Sequence, residues 1–293
     1  MAVVREWRRD TNSRGHYYMN YEGAHVSLSE LRKNNPKHRY LRNKSIPRYP
    51  KYVFQESNVC HVTEKSGLHG IFNDSGFRGG DDGFLWWSLS MSANSMQKQP
   101  YLEEFATSPA FQTESRYGNF RFTLPLTELL KQYSKQFCWR TSPILRVLGT
   151  KLYKQEIVYC VLVHPQYMTH YRKYPRLPVN IEPNTDLCGY SQKQMTWRCQ
   201  SPSDNYEYGL EKNEDDVGNA SPLDRREYFV WDKVAVAFHM KKDWVLDFDL
   251  RHLLKHLSVC KVAPVKLLKK KENEMSVEEA EEEVKKLKRK FNL

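Results

Sequence analysis

Apolar and polar positions alternate with period two over Phe120-Arg121-Phe122-Thr123-Leu124, which predicts a half-buried strand. Leu126 to Phe137 then changes to helical spacing, with Leu126, Leu129, Leu130 and Tyr133 on one face. Upstream, Val53-Phe54-Gln55 and Asn58-Val59-Cys60-His61-Val62-Thr63 read as a strand pair or one broken strand. Ser66 to Phe72 reads as a short helix facing inward through Leu68, Ile71 and Phe72. A glycine-rich turn through Gly76, Gly79, Gly80 and Gly83 leads into a strand at Phe84-Leu85-Trp86-Trp87-Ser88-Leu89-Ser90. Ser95 to Phe105 reads as a helix, and Ile144 to Tyr153 as a strand. Glu156 to His164 is the clearest buried strand, and Tyr228 to Met240 is a further one. Asp249 to Leu257 completes this series as a helix.

The pattern divides the chain into three parts: a basic leader at 1–51, a body at 52–260 and a charged helical tail at 261–293. In the leader, Arg32, Lys33, Lys37, Arg39, Arg42, Lys44 and Arg48 stand against Glu22 and Glu30, while Pro36, Pro47 and Pro50 break any long helix. Only Val26 to Arg32 has the pattern of a helical turn or two. Inside the body, periodicity fails between 165 and 222, where Pro175, Pro178, Pro183 and Pro202 predict an irregular insertion. In the tail, Ser276-Val277-Glu278-Glu279 has the form of a capping box. Val277, Ala280, Val284, Leu287 and Phe291 make a narrow stripe with weak docking capacity, so a solvated helix is expected.

Composition adds a limited amount. With 18 Tyr, 13 Phe and 7 Trp, most of the 293 residues belong to a folded body and not a disordered polar chain. The net charge of +11 is concentrated in the leader, which marks 1–51 as the place for polyanion contact. No apolar run approaches the roughly 20 residues of a spanning helix, and Met1 to Arg9 lacks a signal-peptide core. The six cysteines form no C-x-x-C pair, and Cys60 and Cys160 sit in strand-like runs as buried free thiols. A reducing cytoplasmic or nuclear setting is expected, with no membrane association. His252 and His256 share a helix face at i, i+4 and could ligate a metal, but no acidic or thiol partner stands out near them, so no metal is expected.

Two polar residues stand out by context. His61 interrupts an apolar strand, where a polar side chain usually has hydrogen-bonding work. Glu227 opens the aromatic strand Tyr228-Phe229-Val230-Trp231.

Three segments around these residues resemble the catalytic domain of ADP-ribosyltransferases of the diphtheria-toxin-like, PARP-like class. Cys60-His61-Val62-Thr63, with Gly67-Leu68-His69-Gly70-Ile71-Phe72 and Gly76-Phe77, is similar to the family's H-G-[ST]…I…G-F opening. Gly83 to Asn94 is similar to its G-x-Y-F-[AS]…S-A-x-Y strand and helix start, and Arg226 to Asp232 to x-E-Y-[VI]-V-Y-D. The resemblance spans about residues 55–240. It implies an α+β fold, with a split mixed and antiparallel sheet flanked by short helices. It also implies NAD as substrate and transfer of ADP-ribose to a protein or nucleic-acid acceptor.

Position by position, the resemblance implies that His61 hydrogen-bonds the adenine-side ribose and that Val62 and Thr63 line the cofactor. Ser92 holds the carboxamide. Glu227 binds the nicotinamide ribose and stabilises the charge that develops as the C–N bond breaks. The sequence departs from the family at its aromatic walls. One stacking tyrosine falls near Leu85 or Trp86, of which Trp86 can stack on nicotinamide, and the second falls on Ser95. A degenerate NAD-binding relative, or a non-enzymatic basic module for nucleic acid or an acidic protein, is the alternative expectation.

Overall fold

The computed structural model describes residues 7–11, 17–25, 52–91, 115, 117–153, 156–183, 185–199, 230–262 and 275–292. In chain order the first strands are β1 (Trp7–Thr11), β2 (Tyr17–Glu22), β3 (Tyr52–Glu56) and β4 (Asn58–Thr63). Helix α1 (Lys65–Asp74), β5 (Gly76–Arg78), β6 (Phe84–Leu89), β7 (Phe120–Pro125) and α2 (Leu126–Phe137) follow. The long strands β8 (Ile144–Tyr153) and β9 (Glu156–His164) precede a 3-10 turn at Thr169–Lys173, then β10 (Cys188–Ser191) and β11 (Gln194–Cys199). The last elements are β12 (Val230–His239), β13 (Val245–Asp247), α3 (Leu250–Lys255), β14 (Leu257–Val259) and α4 (Val277–Lys290).

This is a mixed α+β architecture. Nine strands pair in the order β1-β2-β8-β9-β12-β6-β4-β7-β14, with β9 and β12 parallel and the other neighbours antiparallel. A second sheet has the order β10-β11-β3, and β13 pairs with β5. Ser57 separates β3 from β4, so the broken strand expected from sequence serves two sheets. Glu56, 2 % exposed, stabilises the corner, since its Oε1 accepts from the backbone N–H groups of Ser57 and Asn58 at 2.7 and 3.0 Å.

Strand alternation gives the large sheet two apolar faces. Val59, Leu85, Trp87, Leu89, Phe122 and Val236 share one buried cluster with Leu68, Phe72 and Leu129 of the helices. The opposite face gathers Cys160, Leu162, Ala235 and Ala237 with Met168, Tyr171 and Tyr174 of the segment after β9, and Phe84 and Trp86 pack against it. The helical stripes occupy the positions expected from spacing: Leu68, Ile71 and Phe72 in α1, and Leu126, Leu129, Leu130 and Tyr133 in α2, are buried.

Three organisational readings change. The segment read as a leader contributes β1 and β2 to the sheet edge, where β2 pairs with β8. The close approach uses Gly149, at φ +152°, because a Cβ there would lie 2.3 Å from the Tyr21 carbonyl oxygen. The span read as an irregular insertion carries the 3-10 turn, β10 and β11. The tail helix docks on the body, as Ala280 and Leu287 are buried and the Phe291 ring lies 5.8 Å from that of Phe72. Its start is the expected capping box, with Glu279 N–H donating to Ser276 Oγ at 3.1 Å and Ser276 N–H to Glu279 Oε2 at 2.8 Å. The expected helical pieces at 26–32 and 95–105 lie outside the described residues.

Candidate functional site

His61 lies in the second half of β4, on the face that also carries Val59 and the inward side chains of β6. Its ring packs 5.4 Å from both Phe77 and Trp87, in edge-on and tilted contacts. Nδ1 lies 2.9 Å from the carbonyl oxygen of Trp86. A carbonyl only accepts, so Nδ1 carries the proton, and neutral imidazole then presents Nε2 as an acceptor. Nε2 has no hydrogen bond among the described residues. Burial lowers the His61 pKa, partly opposed by the bond to the Trp86 carbonyl. The result is a neutral, oriented imidazole whose second nitrogen is an acceptor without a hydrogen bond among the described residues.

The residues around it follow from the same strand–helix–strand unit. Thr63 ends β4, and its hydroxyl lies where a Cβ on Gly67 would sit, 1.9 Å away, so only glycine lets the first turn of α1 close on the threonine. The threonine and glycine of the opening motif therefore form one packing contact. Val62 is half-buried, one residue from His61 and so on the opposite face.

Trp86 also stands on the opposite face. Its indole N–H donates to Asp82 at 2.6 Å, and the Lys151 ammonium lies 4.4 Å from its ring centre. The Trp86 backbone meets His61 but its side chain does not, because adjacent residues of a strand point to opposite faces. The aromatic wall beside the imidazole is Trp87, 1 % exposed. Ser92 and Glu227 lie outside the described residues, and β12 begins at Val230, shortly after Glu227. In the sheet β12 is separated from β4 by β6 alone.

No family model, curated protein or solved structure matches this chain.

A second group of side chains went unconnected in the sequence. Glu128, from the first turn of α2, meets His252 of α3 and His256 just beyond it. One ligand-capable atom from each lies within 4.8 Å of the others, and all three residues are half-buried. Helical spacing places the two imidazoles 4.5 Å apart, as the sequence anticipated. The acid it did not anticipate comes from the first turn of α2, where nothing local marks Glu128 beyond its place outside the apolar stripe.

Across the sheet, His164 is 1 % exposed, donates from Nδ1 to the Pro165 carbonyl at 2.7 Å and accepts from Arg146 Nε at 3.0 Å. Burial is the main cause that lowers its pKa to about 4. His239, 2.6 Å from the Tyr171 hydroxyl through Nδ1, is also lowered to about 4, first by burial. His164 has both ring nitrogens paired in this packed layer, whereas Nε2 of His239 is buried without a hydrogen bond among the described residues.

Proposed function

We propose that this chain is an ADP-ribosyltransferase-like domain that takes NAD and transfers ADP-ribose to a macromolecular acceptor. The observation that carries the reading is the state of His61: a neutral imidazole, fixed through Nδ1 by the Trp86 carbonyl, with Nε2 left as an acceptor that has no hydrogen bond among the described residues. A ribose hydroxyl is a donor of the kind such a nitrogen needs, and a ring locked by packing loses little freedom on binding. The segments that resemble the family also fall on fitting elements. The His61–Thr63 segment ends a strand, Gly67 to Phe72 lies in the following helix, and Gly76-Phe77 opens the next strand.

In the proposed reaction His61 holds the adenine-side ribose. The bond between the nicotinamide nitrogen and the ribose carbon breaks, and its electron pair leaves with nicotinamide. Glu227 stabilises the positive charge that develops on the sugar. A nucleophile of the acceptor then bonds to that carbon and gives up its proton. Trp87 supplies the apolar wall beside His61, in place of the Trp86 expected from the motif.

Automodification with labelled NAD tests the reading. Wild type is expected to incorporate label, and Glu227→Gln to lose it with an unchanged circular dichroism spectrum. NAD binding without transfer would identify a degenerate relative, and absence of NAD binding would overturn the proposal. A basic binding role of residues 1–51, suggested by their charge, is separable, since retention on heparin should fall steeply with salt and not with Glu227→Gln.

A further inference from the structure

We infer that Glu128, His252 and His256 form a binding site for a zinc-class divalent cation. His256 Nδ1 lies 2.9 Å from the Thr123 carbonyl oxygen and must donate to it, which leaves Nε2 with a lone pair. Such a bond from the second nitrogen to a backbone carbonyl is the usual way a metal-binding histidine is oriented. His252 Nε2 is closed off from solvent and has no hydrogen bond, yet it touches the Glu128 carboxylate. Its ring is held by stacking on Phe248, with centroids 6.1 Å apart and planes 10° from parallel. Its backbone is fixed by Asp249, which accepts from the His252 N–H at 3.0 Å.

Two imidazole nitrogens and a carboxylate thus converge within 4.8 Å. One proton can bridge two of the three groups, whereas a metal ion satisfies all three. Two nitrogens and one carboxylate oxygen are a ligand set that suits Zn2+ over Ca2+ or Mg2+. The half-buried setting leaves a fourth position for water. The ion would join the start of α2 to the end of α3, next to β14.

The test uses the full chain without an affinity tag, stripped with chelator and titrated with Zn2+ by calorimetry. One ion is expected to bind per chain, and loading with Co2+ should give visible d–d absorption. Glu128→Gln and His256→Gln should each weaken binding about 10-fold or more, since loss of even an outer-shell partner costs 10–100-fold. His170→Gln, at an exposed site elsewhere, should leave affinity unchanged. If one of the two ligand variants does not fold, the other decides. Lack of Zn2+ binding by wild type, or equal affinity in wild type and the ligand variants, would overturn the site and leave a simple Glu128–His252 ion pair.

Discussion

His61 and the His252–His256 pair lie on the same side of the sheet, linked through aromatic rings. Phe77 is 5.4 Å from His61 and 5.9 Å from Phe248, which stacks on His252. Yet the two neighbourhoods use histidine in opposite ways. At His61 a single imidazole is isolated among Phe77 and Trp87, and its specificity comes from one backbone bond that dictates which nitrogen is the acceptor. At the second place three ionisable groups are crowded together, and the charge they share sets the chemistry. An isolated neutral acceptor suits a hydroxyl of an organic ligand, whereas a crowded set of lone pairs suits a cation. A residue type therefore says less than the number of groups that converge on it.

The comparison is open to perturbation. The largest effect is expected from Trp87→Ala, which removes a fully buried wall of His61 and should cost about 3–5 kcal/mol. Urea unfolding would measure the loss. In the folded range, Zn2+ affinity should remain that of wild type, and a parallel loss would show that the two places are not independent.

Next comes Glu283→Ala in α4. This carboxylate accepts from Lys65 Nζ at 2.9 Å and lies 2.7 Å from His69 Nε2, which ties the tail helix to α1 directly after the His61 strand. Its loss should cost about 2 kcal/mol, as expected for charge-assisted hydrogen bonds. The Lys65 hydrogen bond is the first cause that holds the Glu283 pKa below the ordinary glutamate value. The stabilisation is therefore complete above the unfolded value of 4.5 and is lost as pH falls through the lower folded value. Hydrogen exchange in α1 and α4 should report the same release at neutral pH in the variant.

A smaller, pH-dependent effect comes from the buried neutral histidines. His61, His164 and His239 all have lowered pKa values, the last two near 4. The unfolded chain binds protons more readily, so their contribution is fully present above 6.5 and declines as pH falls toward 4. His164→Asn should flatten this slope by on the order of 1 kcal/mol, read as the change in urea midpoint between the two pH values. The smallest effect is expected from Glu128→Gln in metal-free protein, within about 0.5 kcal/mol because the pair is partly solvated. The same substitution should have its large effect only when Zn2+ is present.

Local periodicity made much of the fold legible. The strand at 120–125, the helix at 126–137 and the strand at 156–164 follow from spacings of two and 3.6 residues. The tail cap was legible because Ser276 and Glu279 satisfy one another within a single turn. Long-range pairing was not legible. Tyr17–Glu22 carries no sign that it will meet β8, and the docking of α4 depends on Glu283, whose partners Lys65 and His69 lie near the start of the body. The same limit divided the two histidine neighbourhoods. His61 showed itself as a polar residue in an apolar strand. Glu128 carried no signal in the sequence, since only the fold brings α3 beside it. The sequence placed the stacking position at Leu85 or Trp86, and that Trp87 stands beside His61 follows only from the register of β6, since one residue decides the face.

The most direct test of the NAD reading is calorimetric titration of NAD into wild type and into His61→Ala, with secondary structure checked in both. Saturable binding by wild type, weakened at least 10-fold by loss of one oriented hydrogen bond of about 1.4 kcal/mol, is the predicted result. No binding by wild type, or equal binding by both proteins, would contradict the role assigned to His61.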